Sequence, residues 1–258
     1  MKLTTKINKE YGGYAREAYV KLQSTLNSKQ AHKTKFVIFG RGRSGSTLLS
    51  NILNSSPLIY CDKEILNRPV CNPRKFISNR AGLFNAEIYG FKFLSYQLQS
   101  IQKIDAPKEF LKKMVEFEGY KMIFMTRSNL LRQTLSKHYA YARNVWHQKK
   151  QSESRIKMKI DPHVLLKNLN EGRMLEDFEN SVIDTLPYLE VNYEKNLLDT
   201  EKQNELIKEL AQYFNINTFE PKIKLNKITS NKYADFIENH EEMVDFISKT
   251  AFSSYLES

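Results

Sequence analysis

The chain has 258 residues, 41% of them hydrophobic, with only nine glycines and seven prolines; this excludes a low-complexity or disordered polypeptide and suits a single globular domain. Lys and Arg total 40 against 29 Asp and Glu, a formal net charge of +11, so the expected partner is anionic: a phosphorylated ligand, a nucleic acid or an acidic surface. No apolar run approaches the roughly 18 residues of a membrane helix, and residues 1–10 lack the apolar stretch of a secretory leader, so a soluble, cytoplasmic protein without membrane insertion is expected.

The first predicted element is a helix over 14–26. Tyr14, Ala18, Leu22 and Leu26 recur at intervals of four, with Arg16, Glu17 and Lys21 between them, which predicts an amphipathic helix packed on the outside of a sheet. A polar link leads into a strand at 35–39. Residues 1–34 therefore read as a helical extension ahead of a main domain at 35–258.

Phe36, Val37, Ile38 and Phe39 form the buried strand, followed by a glycine-bearing turn and a helix that starts near Thr47. Glycines at 40, 42 and 45 let the backbone turn tightly and approach a ligand. The helix offers unpaired N–H groups and a positive dipole end to an anion. The spacing Gly40-x-x-x-x-Gly45-x-Thr47 is that of a nucleotide phosphate loop, except that Ser46 stands where a lysine would reach the β and γ phosphates. A triphosphate-hydrolysing enzyme is disfavoured. The loop amides, the hydroxyls of Ser46 and Thr47, and Arg43 suit a shorter, less charged group.

The run Arg43-Ser44-Gly45-Ser46-Thr47-Leu48-Leu49 resembles the 5′-phosphosulfate loop of sulfotransferases that use 3′-phosphoadenosine 5′-phosphosulfate (PAPS), particularly the bacterial glycan and small-molecule branch. The resemblance spans roughly 35–240. It implies that Arg41, Gly42, Arg43, Ser44, Gly45, Ser46 and Thr47 hold the donor's phosphosulfate. It also implies an α/β, P-loop-like sulfotransferase fold with a central, mostly parallel sheet flanked by helices.

A short helix to about 54 ends at Ser55-Ser56-Pro57, and a strand at 58–60 leads into a loop at 61–66. After a β-α-β pass that loop emerges at the carboxyl ends of the strands, where open α/β sheets bind ligands. In the resembling branch a glutamate at this point is the general base, and Glu64 occupies it; Asp62 and Glu87 are carboxylates of the same type nearby. Cys61 and Cys71 lack metal-ligand company and are expected to be free thiols, and no metal is called for.

The strand at 88–93 carries a lone lysine among apolar neighbours. Lys92 either snorkels to the surface or plays the part of the family lysine it resembles, which faces the sulfuryl group and bridging oxygen. The cytosolic branch has a histidine two residues later as base; here Leu94 stands there, which shifts that role towards Glu64. A helix at 107–117 and a buried strand at 120–126 follow. Arg127 at the strand's end and Ser136, about two helical turns on, can put a bidentate cation and a hydroxyl around one phosphate. The pairing resembles the family's 3′-phosphate site, with Ser128 or Thr134 as possible sharers; such a site separates the donor from ATP.

The helix beyond, with His138, Tyr141, Trp146 and His147, mixes aromatics with cations. The resemblance implies that it lines the acceptor pocket; the same composition can stack on nucleic-acid bases. Residues 149–159 read as a mobile loop over the site, and acceptor selection is expected within about 137–180. A helix at 164–186 and a strand at 187–194 come next, where Tyr193 either approaches the adenine or belongs to the core. After a helix at 201–214, a basic loop carries Lys227 and Lys232, implied near the 3′-phosphate, and 233–250 reads as a final helix.

The implied activity is transfer of a sulfuryl group from PAPS to a hydroxyl or amine of a small-molecule or carbohydrate acceptor, giving adenosine 3′,5′-bisphosphate (PAP). Glu64 would take the proton, and Arg43 and Lys92 would balance charge. Two other readings compete: a P-loop kinase-like phosphotransferase and a non-enzymatic, basic nucleic-acid-binding protein.

Overall fold

A computed structural model describes residues 12–26, 32–142, 157–221 and 232–256. Its strands, β1 (Thr34–Gly40), β2 (Ile59–Glu64), β3 (Ile88–Leu94), β4 (Tyr120–Thr126) and β5 (Tyr188–Asn192), form one sheet in the order β2-β3-β1-β4-β5. Every neighbouring pair is parallel. The described helices are α1 (Gly12–Leu26), α2 (Ser46–Leu53), α3 (Pro73–Ala81), α4 (Pro107–Lys112), α5 (Leu130–Ala142), α6 (Pro162–Ile183), α7 (Thr200–Phe214) and α8 (His240–Ser248).

Strand β1 is apolar on both sides because both sides are covered. Phe36 and Ile38 pack with Leu49, Ile52 and Leu53 of α2 and with Leu206, Leu210 and Phe214 of α7. Val37 and Phe39 face the opposite layer, built from α3, α4 and the end of α6 through Phe76, Ile77, Leu111, Val182 and Ile183. A third cluster joins α5, the start of α6 and α8 through Leu135, Tyr139, Leu165, Leu169, Met243 and Ile247, with no strand residue in it. From β1 the chain crosses to one side, and from β3 it crosses to the other, which opens a crevice at the carboxyl ends of β1, β3 and β4.

Helix α1 forms as its periodicity predicts but packs by a different face. Tyr14, Leu22 and Leu26 are exposed, while Val20 and Gly13 are buried. Polar tethers select that face: Arg16 donates to the Ile65 carbonyl and lies 4.9 Å over the Phe76 ring, and Glu17 accepts from the Cys71 and Asn72 amides at 2.7 and 3.0 Å. Val20 thereby joins the core cluster that contains Ile65 and Phe76.

Two further expectations are corrected. Residues 61–64 continue β2 instead of forming a loop, with Glu64 paired to Lys92 across a register shift after Asp62. Their polarity does not end the strand because the Asp62 carboxylate is neutralised by Arg80 at 2.7 Å. The last helix is also shorter than 233–250: after a tight turn at Tyr233–Asp235 the chain bridges to Met158, and α8 begins at His240. Asn239 brings about the break, its side chain accepting from the Ile160 amide at 2.9 Å and donating to the Ile160 carbonyl at 2.8 Å.

Both cysteines are free. Burial pushes the Cys61 thiol up to about 12, whereas Cys71 is exposed. A thiol reagent at neutral pH should therefore modify Cys71 alone in the folded chain and both cysteines after denaturation, read by mass spectrometry; rapid native labelling of Cys61 would contradict its burial.

Candidate active site

The loop between β1 and α2 enters the crevice, held by its own side chains and by two neighbouring elements. Ser44 Oγ donates to the Arg41 carbonyl at 2.7 Å, Gln133 Nε2 to that of Gly42 at 2.8 Å, and Arg127 Nη1 to that of Arg43 at 3.0 Å. With three successive carbonyls so occupied, the loop and the following helix N-terminus suit a negatively charged guest. Arg43 takes a left-handed φ of 65°, unusual for a residue with a side chain, and Gly45 takes 92°. A methyl group on Gly45 would lie 2.7 Å from the Tyr193 ring, so only glycine lets that tyrosine close over the loop.

Three cations gather here. Lys92 is 4% exposed, and its Nζ donates to Thr47 Oγ1 at 3.1 Å and lies 3.4 Å from Glu64 Oε1. One ammonium thus joins the phosphate loop to a carboxylate. Glu64 keeps 31% of its side chain exposed, so solvent or a ligand can reach its carboxylate. Of the other two carboxylates, Asp62 is engaged by Arg80, and Glu87 pairs with Lys33 just ahead of β3 and β1, at the opposite, amino ends of the strands.

Arg43 Nε and Nη2 both donate to Ser136 Oγ, at 3.2 and 2.9 Å. Burial, and Arg127 beside it, lower the pKa of the Arg43 guanidinium from its ordinary value. Arg127 bonds Glu194 through Nε at 3.1 Å and stacks 4.6 Å over the Tyr193 ring. The other Glu194 oxygen accepts from the Ser128 amide at 2.9 Å. Residues expected around two different phosphates, Arg43 and Ser136, are therefore in direct contact, and Arg127 is bonded to the same loop.

Arg41 differs from the expectation. Its guanidinium turns to α6, where it meets Glu176 at 3.1 Å and Glu179 at 3.0 Å, so its side chain is committed away from the loop's guest. His138 is tied to Asn168 of α6 at 2.9 Å, and burial followed by Lys137 lowers its pKa, which keeps the ring neutral. Tyr141 is exposed at the end of α5. Lys232 is exposed ahead of Tyr233, whose ring carries Arg132 at 4.3 Å. Trp146, His147 and Lys227 lie outside the described residues, as does most of the loop at 149–159.

Two side chains escaped the sequence reading. Glu194 orients Arg127, and its only signal was adjacency to Tyr193. Tyr96 lies just beyond the end of β3; burial raises its phenol pKa, Gln97 opposes this through a side-chain hydrogen bond, and the Glu64 carboxylate and Tyr141 add to the rise, so Tyr96 feels the Glu64 charge. Its signal was its position four residues past Lys92.

No family model matches the chain, and no curated protein sequence matches it. Solved structures do. The chain is similar to sulfotransferases. One is a sulfotransferase from Alicyclobacillus acidocaldarius, 13% identical, with 88% of this chain and 96% of that one covered and a TM-score of 0.48. Another is mouse sulfotransferase SULT7A1 complexed with PAP, 12% identical, with 92% and 93% covered and a TM-score of 0.47. Retinol dehydratase in a complex with retinol and PAP is 13% identical, with 91% and 87% covered and a TM-score of 0.36. The bound nucleotide and retinol are properties of those proteins. Among the described residues no helix is long and apolar enough to cross a membrane, and no group of three or more His, Cys, Asp or Glu is placed to hold a metal ion.

Proposed function

We propose that the chain is a PAPS-dependent sulfotransferase that moves a sulfuryl group onto a hydroxyl or amine of a small-molecule or carbohydrate acceptor, with PAP as the other product. The observation that carries this reading is Lys92, buried between Thr47 of the phosphate loop and Glu64. An ammonium in that position lies between a loop shaped for an anion and a carboxylate able to take a proton, which is the order of charges that sulfuryl transfer from a phosphosulfate to a nucleophile requires. Glu64 accepts the proton of the attacking group. Lys92, Arg43 and the loop amides offset the charge that grows on the departing phosphate oxygen, and catalysis rests on their fixed placement. Ser46 in place of lysine argues against a triphosphate. Arg127 and Ser136, bonded to Arg43, are the groups for the phosphate on the far side of the ribose. On this reading Tyr96, whose phenol feels the Glu64 carboxylate, belongs to the acceptor side.

Calorimetric titration with PAP, AMP and ATP tests the reading. PAP should bind about tenfold or more tighter than AMP, because charge-assisted bonds to the second phosphate add roughly 1.4 kcal/mol or more. Equal affinities would refute it. Magnesium-dependent turnover of ATP would instead establish a kinase, and steeply salt-dependent binding of DNA or RNA without a PAP site would establish a nucleic-acid-binding protein.

A further inference from the structure

Beside the site lies a buried polar network with no part in the chemistry above. Arg41 is the first residue after β1, yet its Nη1 donates to the Gly172 carbonyl at 3.3 Å and its Nη2 to Glu176 Oε1 at 3.1 Å, both on α6. Its Nε lies 3.0 Å from Glu179 Oε2, the two atoms facing each other without an aligned hydrogen bond. Glu179 is 0% exposed. Its other oxygen accepts from Ser95 Oγ at 2.5 Å, and Ser95, also fully buried, is the first residue after β3. One carboxylate of α6 therefore touches the residues that follow β1 and β3, the adjacent strands from which the phosphate loop and Lys92 come.

Stability does not account for such an arrangement. Taking an ion pair out of water generally costs as much as it returns, and apolar side chains of the same volume would hold these elements together at least as well. What the network supplies is a fixed relation between two strand ends, because Arg41 presents a rigid fork and Ser95 a short hydroxyl.

We propose that Glu179 is a positioning residue that acts through Arg41 and Ser95 to fix the offset between the phosphate loop and the Lys92 segment, and thereby sets affinity for the donor nucleotide. The identity of that nucleotide rests on the function proposed above; the pinning of the loop does not. The charged groups that face Glu179 are Arg41, from the loop, and Glu176, on its own helix. Burial pushes the Glu179 carboxyl up to about 7 against the pull of Arg41 and Ser95, so its charge is expected to change near neutrality. As pH falls through that value Arg41 loses its buried counter-charge and the loop its anchor, and PAP affinity should decline.

Hydrogen exchange across residues 40–48 in the ligand-free chain tests the pinning, and PAP calorimetry between about pH 6 and 8.5 tests its consequence. In Glu179→Gln the loop amides should exchange about tenfold faster, PAP should bind about tenfold more weakly, and the decline in affinity through about pH 7 should flatten. In turnover the loss should fall on the donor KM and not on the acceptor KM. Arg41→Lys, which keeps the charge and loses the fork, should lie between wild type and Glu179→Gln. Should Glu179→Gln fail to fold, Ser95→Ala carries the same readouts with an effect of about threefold. Exchange rates and PAP affinity unchanged from wild type in a folded variant would overturn the proposal. A wild-type chain that binds no PAP would refute the donor instead; faster exchange in the variants would then still support the pinning, and unchanged exchange would end it.

Discussion

Replacing Lys92 by methionine is expected to lower turnover with PAPS by about 10²–10³-fold while leaving the fold intact, the range seen when one preorganised donor is removed from a developing oxyanion. Lys92 is 4% exposed and its ammonium bridges Thr47 and Glu64, so no water molecule readily takes its place. Methionine keeps the length and apolar stem of the lysine and removes a buried charge, so a large fall in melting temperature is not expected. Glu64 loses its partner but is 31% exposed, and water takes over the solvation of its carboxylate. Glu64→Gln should cost about 10²–10⁴-fold in turnover and leave PAP affinity unchanged, because it removes a proton acceptor and not a nucleotide contact. Both residues serve one transfer step, so the double variant should be scarcely worse than the poorer single one. Single-turnover assays beside melting curves give the answer; a Lys92→Met enzyme within about threefold of wild type would remove Lys92 from the mechanism.

Arg127→Ala should weaken PAP by about 10²-fold and AMP by less than about threefold. A guanidinium on a phosphate contributes a charge-assisted hydrogen bond of roughly 1.5–3 kcal/mol, and AMP lacks the phosphate in question. Arg127 also bonds the Arg43 carbonyl at 3.0 Å and Glu194 at 3.1 Å, so its loss touches the loop as well. The AMP titration isolates that contribution. Equal losses for the two nucleotides would make Arg127 a support of the loop and not a 3′-phosphate ligand. Arg127→Lys should recover part of the PAP affinity, since it restores the charge without the fork that reaches Glu194 and the loop together.

The second clamp also shows how contacts distant in sequence reshape a motif. The resemblance implies one phosphate for Arg43 and another for Ser136, 93 positions apart. In the fold they touch, because β4 lies beside β1 and α5 begins just beyond its end, which brings Ser136 over the loop. The residues expected around two phosphates thus lie on one cationic surface, a relation that no pairwise spacing could carry.

What the residues alone determined is what repeats over a few positions. The three central strands were readable because buried parallel strands are apolar on both sides, and the phosphate loop because its glycines, Ser46 and Thr47 stand at fixed offsets from β1; the polar second half of β2 was not readable in this way. Lys92 stood out as a lone lysine in an apolar strand, whereas Glu64 was distinguished from Asp62 and Glu87 only through the resemblance. Tertiary structure decided where side chains point: the face of α1, chosen by Arg16 and Glu17; the turn of Arg41 towards α6; the break ahead of α8, made by Asn239; and the meeting of Glu179 with two strand ends. Each depends on a partner dozens of residues away. Periodicity records which positions are buried, but the direction of a long polar side chain is set by the acceptor or counter-charge that folding brings to it.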